Sequence, residues 1–328
     1  YRHVLIGIER SGVAIPNYMS QANLIFYSFR MPLFFILSGL FISSTLFKKT
    51  FAQLVSSKFQ LLIYPYFIWV ILQITFQIVF SHVTNSERGW RDYTYIFYFP
   101  RELDQFWYLP ALFNVTIIYT FIKTKFQTPV WGQLLFGLVV YYISVYFREI
   151  SIISDWMEFY LFFALGDAVS SFFFTTETQK NIKSPVLLLL AIPIFVVTQL
   201  YYLTYTEDYF VTDISGKTKF IFISIIGCSF MFIVAFAIQN IKRLSFLRII
   251  GYHSLYIYVM HVFVASFIRI ILTKVFHIGN PLFLLLSGII LSIPTCIVIY
   301  NLLIKNGKFW FLFSMKKPRP SVQLKKNI

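Results

Sequence analysis

The sequence predicts an all-α fold, a polytopic membrane helix bundle of about ten transmembrane helices, the first one truncated in this chain. Three observations predict it. Hydrophobic residues make up 58% of the chain and charged residues only 12%, against roughly 25% charged in a soluble protein. The apolar runs continue for about 20 residues, which suits helices crossing a ~30 Å hydrocarbon core and not the ten-residue alternations of a membrane barrel. The loops between the runs alternate in charge, and the 22 tyrosines gather near the run ends as interface belts do.

Taken in order, residues 1–9 read as the tail of a first span, because the chain opens at Tyr1 already inside an apolar helix. Nine complete spans follow, at about 24–46, 60–80, 105–122, 128–147, 155–174, 184–203, 219–239, 250–271 and 282–304. Together, 1–304 form the transmembrane domain, and 305–328 a short basic tail. The loops 47–59, 123–127, 175–183, 240–249 and 305–328 carry 17 Lys and Arg and a single acid, Glu177. The other loops are acidic or mixed. By the positive-inside rule the basic set is cytoplasmic, so both termini are expected inside, the tail touching anionic membrane lipid.

Net charge is +15. The basic residues lie between apolar runs rather than on one soluble face, which excludes nucleic acid as a partner. Cys228 and Cys296 fall in different runs and offer neither a disulfide framework nor a metal spacing, so no metal is expected.

Ionisable groups inside a membrane are costly, and each is a functional candidate. His3 lies about two turns from the outer end of the first span. Arg30 lies about two turns inside the outer end of the second, at the leading edge of the uncharged stretch Met31–Phe47. Antiparallel helices then bring both to similar depth. A neutral imidazole is the natural general base there, and a guanidinium can hold an oxyanion, a carboxylate or a phosphate. The plain alternative is a buried pair that satisfies helix carbonyls.

Pro65 is expected to kink or break the third span. Lys48, Lys49 and Lys58 surround its cytoplasmic entrance and suit phosphates, although plain topological lysines look the same. Asp104 and Gln105 before the fourth span fit a helix N-cap. Trp107 and Tyr108 fit either an interface belt or a sugar-binding surface. Asp155, Glu158 and Asp167 mark the sixth span without an obvious partner. In the ninth span Ser254, Tyr258 and His261 share one face, with His261 near the midplane. Arg269, two turns further out, approaches the depth of Arg30.

These stretches resemble the membrane-bound acyltransferase-3 family of the glycan O-acyltransferase type. The resemblance rests on the His3 position, on Met31-Pro-Leu-Phe-Phe-Ile-Leu-Ser-Gly39, on Lys58 with Tyr64-Pro65-Tyr66, on Phe106-Trp107-Tyr108-Leu109 with Ala111-Leu112, and on Ser254-Leu-Tyr-Ile-Tyr-Val-Met-His261. The family's basic residue eleven positions before the histidine would precede Tyr1. The resemblance implies an acyl-CoA donor (acetyl-CoA first, succinyl as the alternative) on the cytoplasmic side of a bacterial inner membrane. It implies as acceptor a hydroxyl of a glycan or lipid-linked sugar, reached from outside.

On that reading His3 is the base and Arg30 holds the oxyanion or orients the donor. Asp104, Trp107 and Tyr108 line the acceptor entrance, and Tyr258 and His261 line the central passage. Lys48, Lys49, Lys58, Lys242, Arg243 and Arg248 are the pool for phosphate contacts. One geometric demand follows. The thioester must travel about 15 Å, half the core, so a pore-like channel wide at the cytoplasm is expected, and a dry bundle in which His3 and the basic cluster are unconnected would sink this reading. The rival readings are a glycan or small-anion transporter or flippase, and a membrane receptor or scaffold.

Overall fold

In a computed structural model the described residues are 1–81, 88–205, 213–239, 244–305 and 308–316. They are helical, with no strand among them. The chain runs through α1 (Arg2–Arg10), α2 (Asn17–Leu40), α3 (Ile42–Leu46), α4 (Phe51–Lys58), α5 (Tyr64–Val79), α6 (Tyr95–Tyr98), α7 (Tyr108–Lys125) and α8 (Val130–Ile143). It continues through α9 (Ser151–Phe173), α10 (Thr176–Ile182), α11 (Pro185–Tyr205), α12 (Ile214–Gln239), α13 (Phe246–Tyr252), α14 (Ser254–Ile270) and α15 (Pro281–Ile299).

Seven stretches among the described residues are long and apolar enough to cross a membrane: 17–46, 51–79, 130–147, 185–204, 214–239, 254–275 and 281–305. An eighth is α9 taken with α10, which bends away from it by 105° at Thr175. The protein is therefore a multi-pass membrane protein. The two further spans expected from the sequence are α1, nine residues long, and α7. Asn114, Thr116, Thr120, Lys123 and Lys125 make α7 less apolar than those stretches. It tolerates them because Val115, Thr116, Tyr119 and Thr120 are fully buried in the bundle and need no match to lipid.

The centre is the parallel pair α2 and α9. Phe35 stacks on Phe159 at 4.6 Å between ring centroids, and one turn on the backbones touch. A Cβ on Gly39 would strike the carbonyl of Phe163, and one on Gly166 the carbonyl of Ile36. Small residues allow this approach, the usual device for packing helices in lipid. A further turn along, the Asp167 carboxylate accepts from Ser43 and from Tyr119 (2.6 Å) and forms an ion pair with Lys123. At the opposite end Arg101 forms ion pairs with Asp155 and Glu158 (2.7 Å to the latter). Burial opposes its charge, and the two carboxylates overcome this and raise its pKa above the ordinary arginine value. The three acids of α9 thus have partners from other helices.

Pro65 neither breaks nor ends its span. The backbone winds as a wider π turn over Phe59–Ile63 and then continues as α5. The wider turn absorbs the missing N–H and the ring clash that proline imposes on the preceding turn.

After α15 the chain turns back into the bundle. Tyr64 donates to the carbonyl of Phe311 (2.6 Å), and the Trp69 indole N–H donates to the carbonyl of Leu312 (3.0 Å). The Phe313 ring packs against Trp69 (5.2 Å) and Tyr256 (5.0 Å), and Tyr256 stacks on Tyr300 at 3.5 Å. In the described part of the expected tail Phe313 is buried, while Phe309, Phe311 and Met315 are exposed; residues 317–328 lie outside the described residues.

Candidate functional site

The site forms where α1, α5 and α14 leave a gap. Three polar or small residues of α1, His3, Gly7 and Arg10, follow one another at turn spacing on one face. Gln73 and Gln77 do the same on α5. A cavity of about 130 Å³ is lined by all five, by Asp104, and by Ser266 and Arg269 of α14.

At one end of the cavity lies His3, with the His261 ring 5.4 Å away in an edge-to-face arrangement. His261 Nδ1 sits 2.8 Å from the carbonyl of Tyr258 and 3.2 Å from that of Ile257. A carbonyl only accepts, so Nδ1 carries the proton and a neutral ring leaves Nε2 as an acceptor. The Arg30 guanidinium is an electrostatic neighbour of His3, His261 and Tyr258. The structure thus brings His3, His261, Tyr258 and Arg30 into one cluster.

At the other end Asp104 closes the cavity. Its backbone is left-handed (φ 55°), a conformation Asp tolerates better than most residues. Its carboxylate lies 3.7 Å from Arg10 and 3.7 Å from Arg88, and accepts from Gln73 at 2.9 Å. Asp104 does not cap the following helix: α7 begins after Trp107 without a side-chain cap. The left-handed turn aims the carboxylate at α1 and α5 instead. Between the two ends, the Arg269 guanidinium packs on the backbone of Gly7, in the space a Cβ would fill.

Trp107 and Tyr108 lie apart from this cavity. Trp107 sits under Arg101 at 4.5 Å and beside Phe159. Tyr108 meets Phe35 (5.4 Å) and Tyr258 (5.6 Å), and the Tyr258 hydroxyl donates to the Gln105 carbonyl. Gln73, Gln77, Gly7, Arg10 and Ser266 are among the lining residues that sequence reading passed over. The visible signal was two glutamines one turn apart in an otherwise apolar run.

The expected basic pool stands at the far end of the bundle. Lys48 and Lys49 are exposed, Lys49 donating to Ser57 at 2.8 Å, and Lys58 is half-buried near Lys49. An open groove lined by Gln53, Ser56, Ser57 and Gln60 adjoins them. Arg248 is exposed on α13, and Lys242 and Arg243 lie outside the described residues.

None of these basic residues lines the His3 cavity. The His3 cavity and the groove at Gln53 and Gln60 share no lining residue. The Trp69 ring meets Phe263 of the cavity wall at 5.8 Å and Phe313 at 5.2 Å. Among the described residues no group of His, Cys, Asp and Glu could hold a metal ion.

A family model described as an acyltransferase domain matches residues 3–301, nearly the whole chain. No curated protein and no solved structure matches.

Proposed function

The chain belongs to the acyltransferase-3 family of membrane acyltransferases, and from that premise we propose that it moves an acyl group, acetyl first, from cytoplasmic acyl-CoA to a hydroxyl of an extracytoplasmic or lipid-linked glycan. The observation that carries this reading is His3, which lines a cavity together with Arg10, Gln73, Gln77, Asp104 and Arg269 and has the His261 ring beside it.

In the proposed reaction His3 takes the proton of the acceptor hydroxyl as its oxygen attacks the thioester carbonyl. The Arg30 guanidinium stabilises the oxyanion that develops. The C–O bond forms, the C–S bond breaks, and the proton held on His3 leaves with the coenzyme A thiolate. His261, fixed by its own helix carbonyls, holds the His3 ring in register. Lys48, Lys49 and Lys58 supply the charge for the donor phosphates, and Asp104 with Gln73 forms the mouth on the acceptor side. On this reading a donor entering from the lysine-rich end passes Trp69 and Phe313, and Trp310–Phe313 withdraws to admit it.

Mass spectrometry of surface glycans from cells carrying the wild-type gene, no gene or His3→Ala tests this. One added acyl group seen only with wild type supports the reading and names the acyl group. An increment that survives His3→Ala removes the base. Substrate movement without acyl-CoA consumption would replace the enzyme with a transporter.

A further inference from the structure

Among the described residues, the guanidiniums at or beside the cavity outnumber the carboxylates that face them. Three guanidiniums stand at or beside its mouth: Arg10, Arg88 and Arg269. Asp104 faces Arg10 and Arg88 at 3.7 Å each, and Asp92 faces Arg88 at 3.9 Å. Arg269 has no carboxylate within ion-pair reach, and its guanidinium makes no hydrogen bond, among the described residues. An arginine held in a helical bundle without a counter-ion is costly, and is found where it faces a partner or a ligand. This one lines the cavity, held against α1 by the missing side chain of Gly7.

Its position fixes what a ligand must offer. Gly7 is one helical turn from His3, about 6 Å along the axis. The cavity then continues past Arg269 to Arg10 and Asp104, so an occupant extends beyond the guanidinium rather than ending at it. We propose that Arg269 binds an anionic group of the acceptor, so that the acyl-accepting sugar is acidic. Its carboxylate or phosphate is gripped about one turn away from the hydroxyl that His3 activates. A guanidinium suits either group, through two parallel hydrogen bonds. A hexuronic acid or a sugar 6-phosphate places an anion at that range from its ring hydroxyls. Asp104 and Gln73 are left for neutral hydroxyls at the mouth. This deepens the acyltransferase reading and rests on it.

The test uses the purified full chain in lipid nanodiscs with three acceptors: methyl β-glucuronide, glucose 6-phosphate and methyl β-glucoside. The expected kcat/KM with acetyl-CoA is at least tenfold higher for an anionic acceptor than for the glucoside. Comparison of the two anionic acceptors tells carboxylate from phosphate. Arg269→Gln should bring the ratio close to one, and Arg269→Lys should keep part of it. Gly7→Ala, which displaces the guanidinium while keeping its charge and favouring the helix, should also collapse the ratio. A wild-type ratio of one or less, or a ratio unmoved by Arg269→Gln and Gly7→Ala, overturns the proposal. So does an Arg269-dependent preference for succinyl-CoA over acetyl-CoA with the neutral glucoside, which would assign the anion to the acyl group.

A second readout needs no turnover. Thermal stabilisation of the nanodisc protein by the glucuronide or the phosphate, absent with the glucoside and lost in Arg269→Gln, is expected even if no acyl transfer occurs. Transfer failing while this binding persists would remove the enzymatic reading and leave the anion site. Equal stabilisation by all three sugars would remove the anion site.

Discussion

The imidazoles of His3 and His261 meet edge to face with their centroids 5.4 Å apart, one near the start of the chain and one in α14. A base acting through a proton transfer contributes about 10²- to 10⁴-fold to rate. His3→Ala is therefore expected to lower kcat by that order. His261→Ala, which leaves the base but frees its ring, is expected to cost about tenfold less than His3→Ala. Rates of acyl incorporation at saturating donor measure both. Equal losses would show that the two rings act as one unit.

The Lys123–Asp167 pair offers a stability test. The Asp167 side chain is 1% exposed and that of Lys123 23%. Breaking such a buried pair from one side costs about 3–5 kcal/mol, because a charge is left without its partner. Lys123→Met alone and Asp167→Asn alone are each expected to lower the unfolding temperature in detergent. The double variant should recover much of the loss. Additive losses in the double variant would argue against a coupled pair.

Glycine substitutions should separate contact from propensity. Gly166→Ala drives a methyl into the Ile36 carbonyl of the facing helix, while Gly251 has nothing within 4 Å of an added Cβ. Gly251→Ala, in α13, is expected to be neutral or stabilising by up to about 1 kcal/mol. Gly166→Ala is expected to remove folded protein from the membrane fraction. Quantitative immunoblotting of membranes, followed by thermal scans, reads both.

Loosening the folded-back segment should ease donor entry. Phe313→Ala removes the ring that Trp69, Tyr256 and Tyr300 surround. If a donor-competent state is a minor one, raising its share lowers the apparent donor constant in proportion. The KM for acyl-CoA is expected to fall about two- to tenfold. An unchanged or raised KM would mean that the segment does not obstruct the donor.

Much of this architecture was legible in the amino-acid order. The long spans follow from runs of apolar residues, and the family from a few short motifs whose spacing survives over the whole chain. The partners of Arg101 were not legible. Asp155 and Glu158 sit on another helix, and an acid in a span looks the same whether it binds a ligand or an arginine. Trp107 shows the same ambiguity, since an aromatic ring near a helix start suits a belt, a sugar platform or a stack beneath Arg101. The contact of His3 with His261 was the other gap, because α1 and α14 are far apart in the chain and no count along one helix says which helices pack together. Helix tilt and the entry point into the bundle are set by packing, which residue counts along one helix do not contain.

The fold-back of Trp310–Phe313 also bears on a hazard common to proteins that work from both faces of an energised bilayer. A standing pore wide enough for a pantetheine arm would conduct protons and small ions and dissipate the gradient. Under the proposed reaction, Trp69 in contact with both Phe263 and Phe313 would keep the bundle insulated at rest and shield the thioester from bulk water on the far face. The acyl carrier's own slender arm would then replace the aromatic stopper as it enters, so that leakage is blocked both when the site is empty and when it is charged.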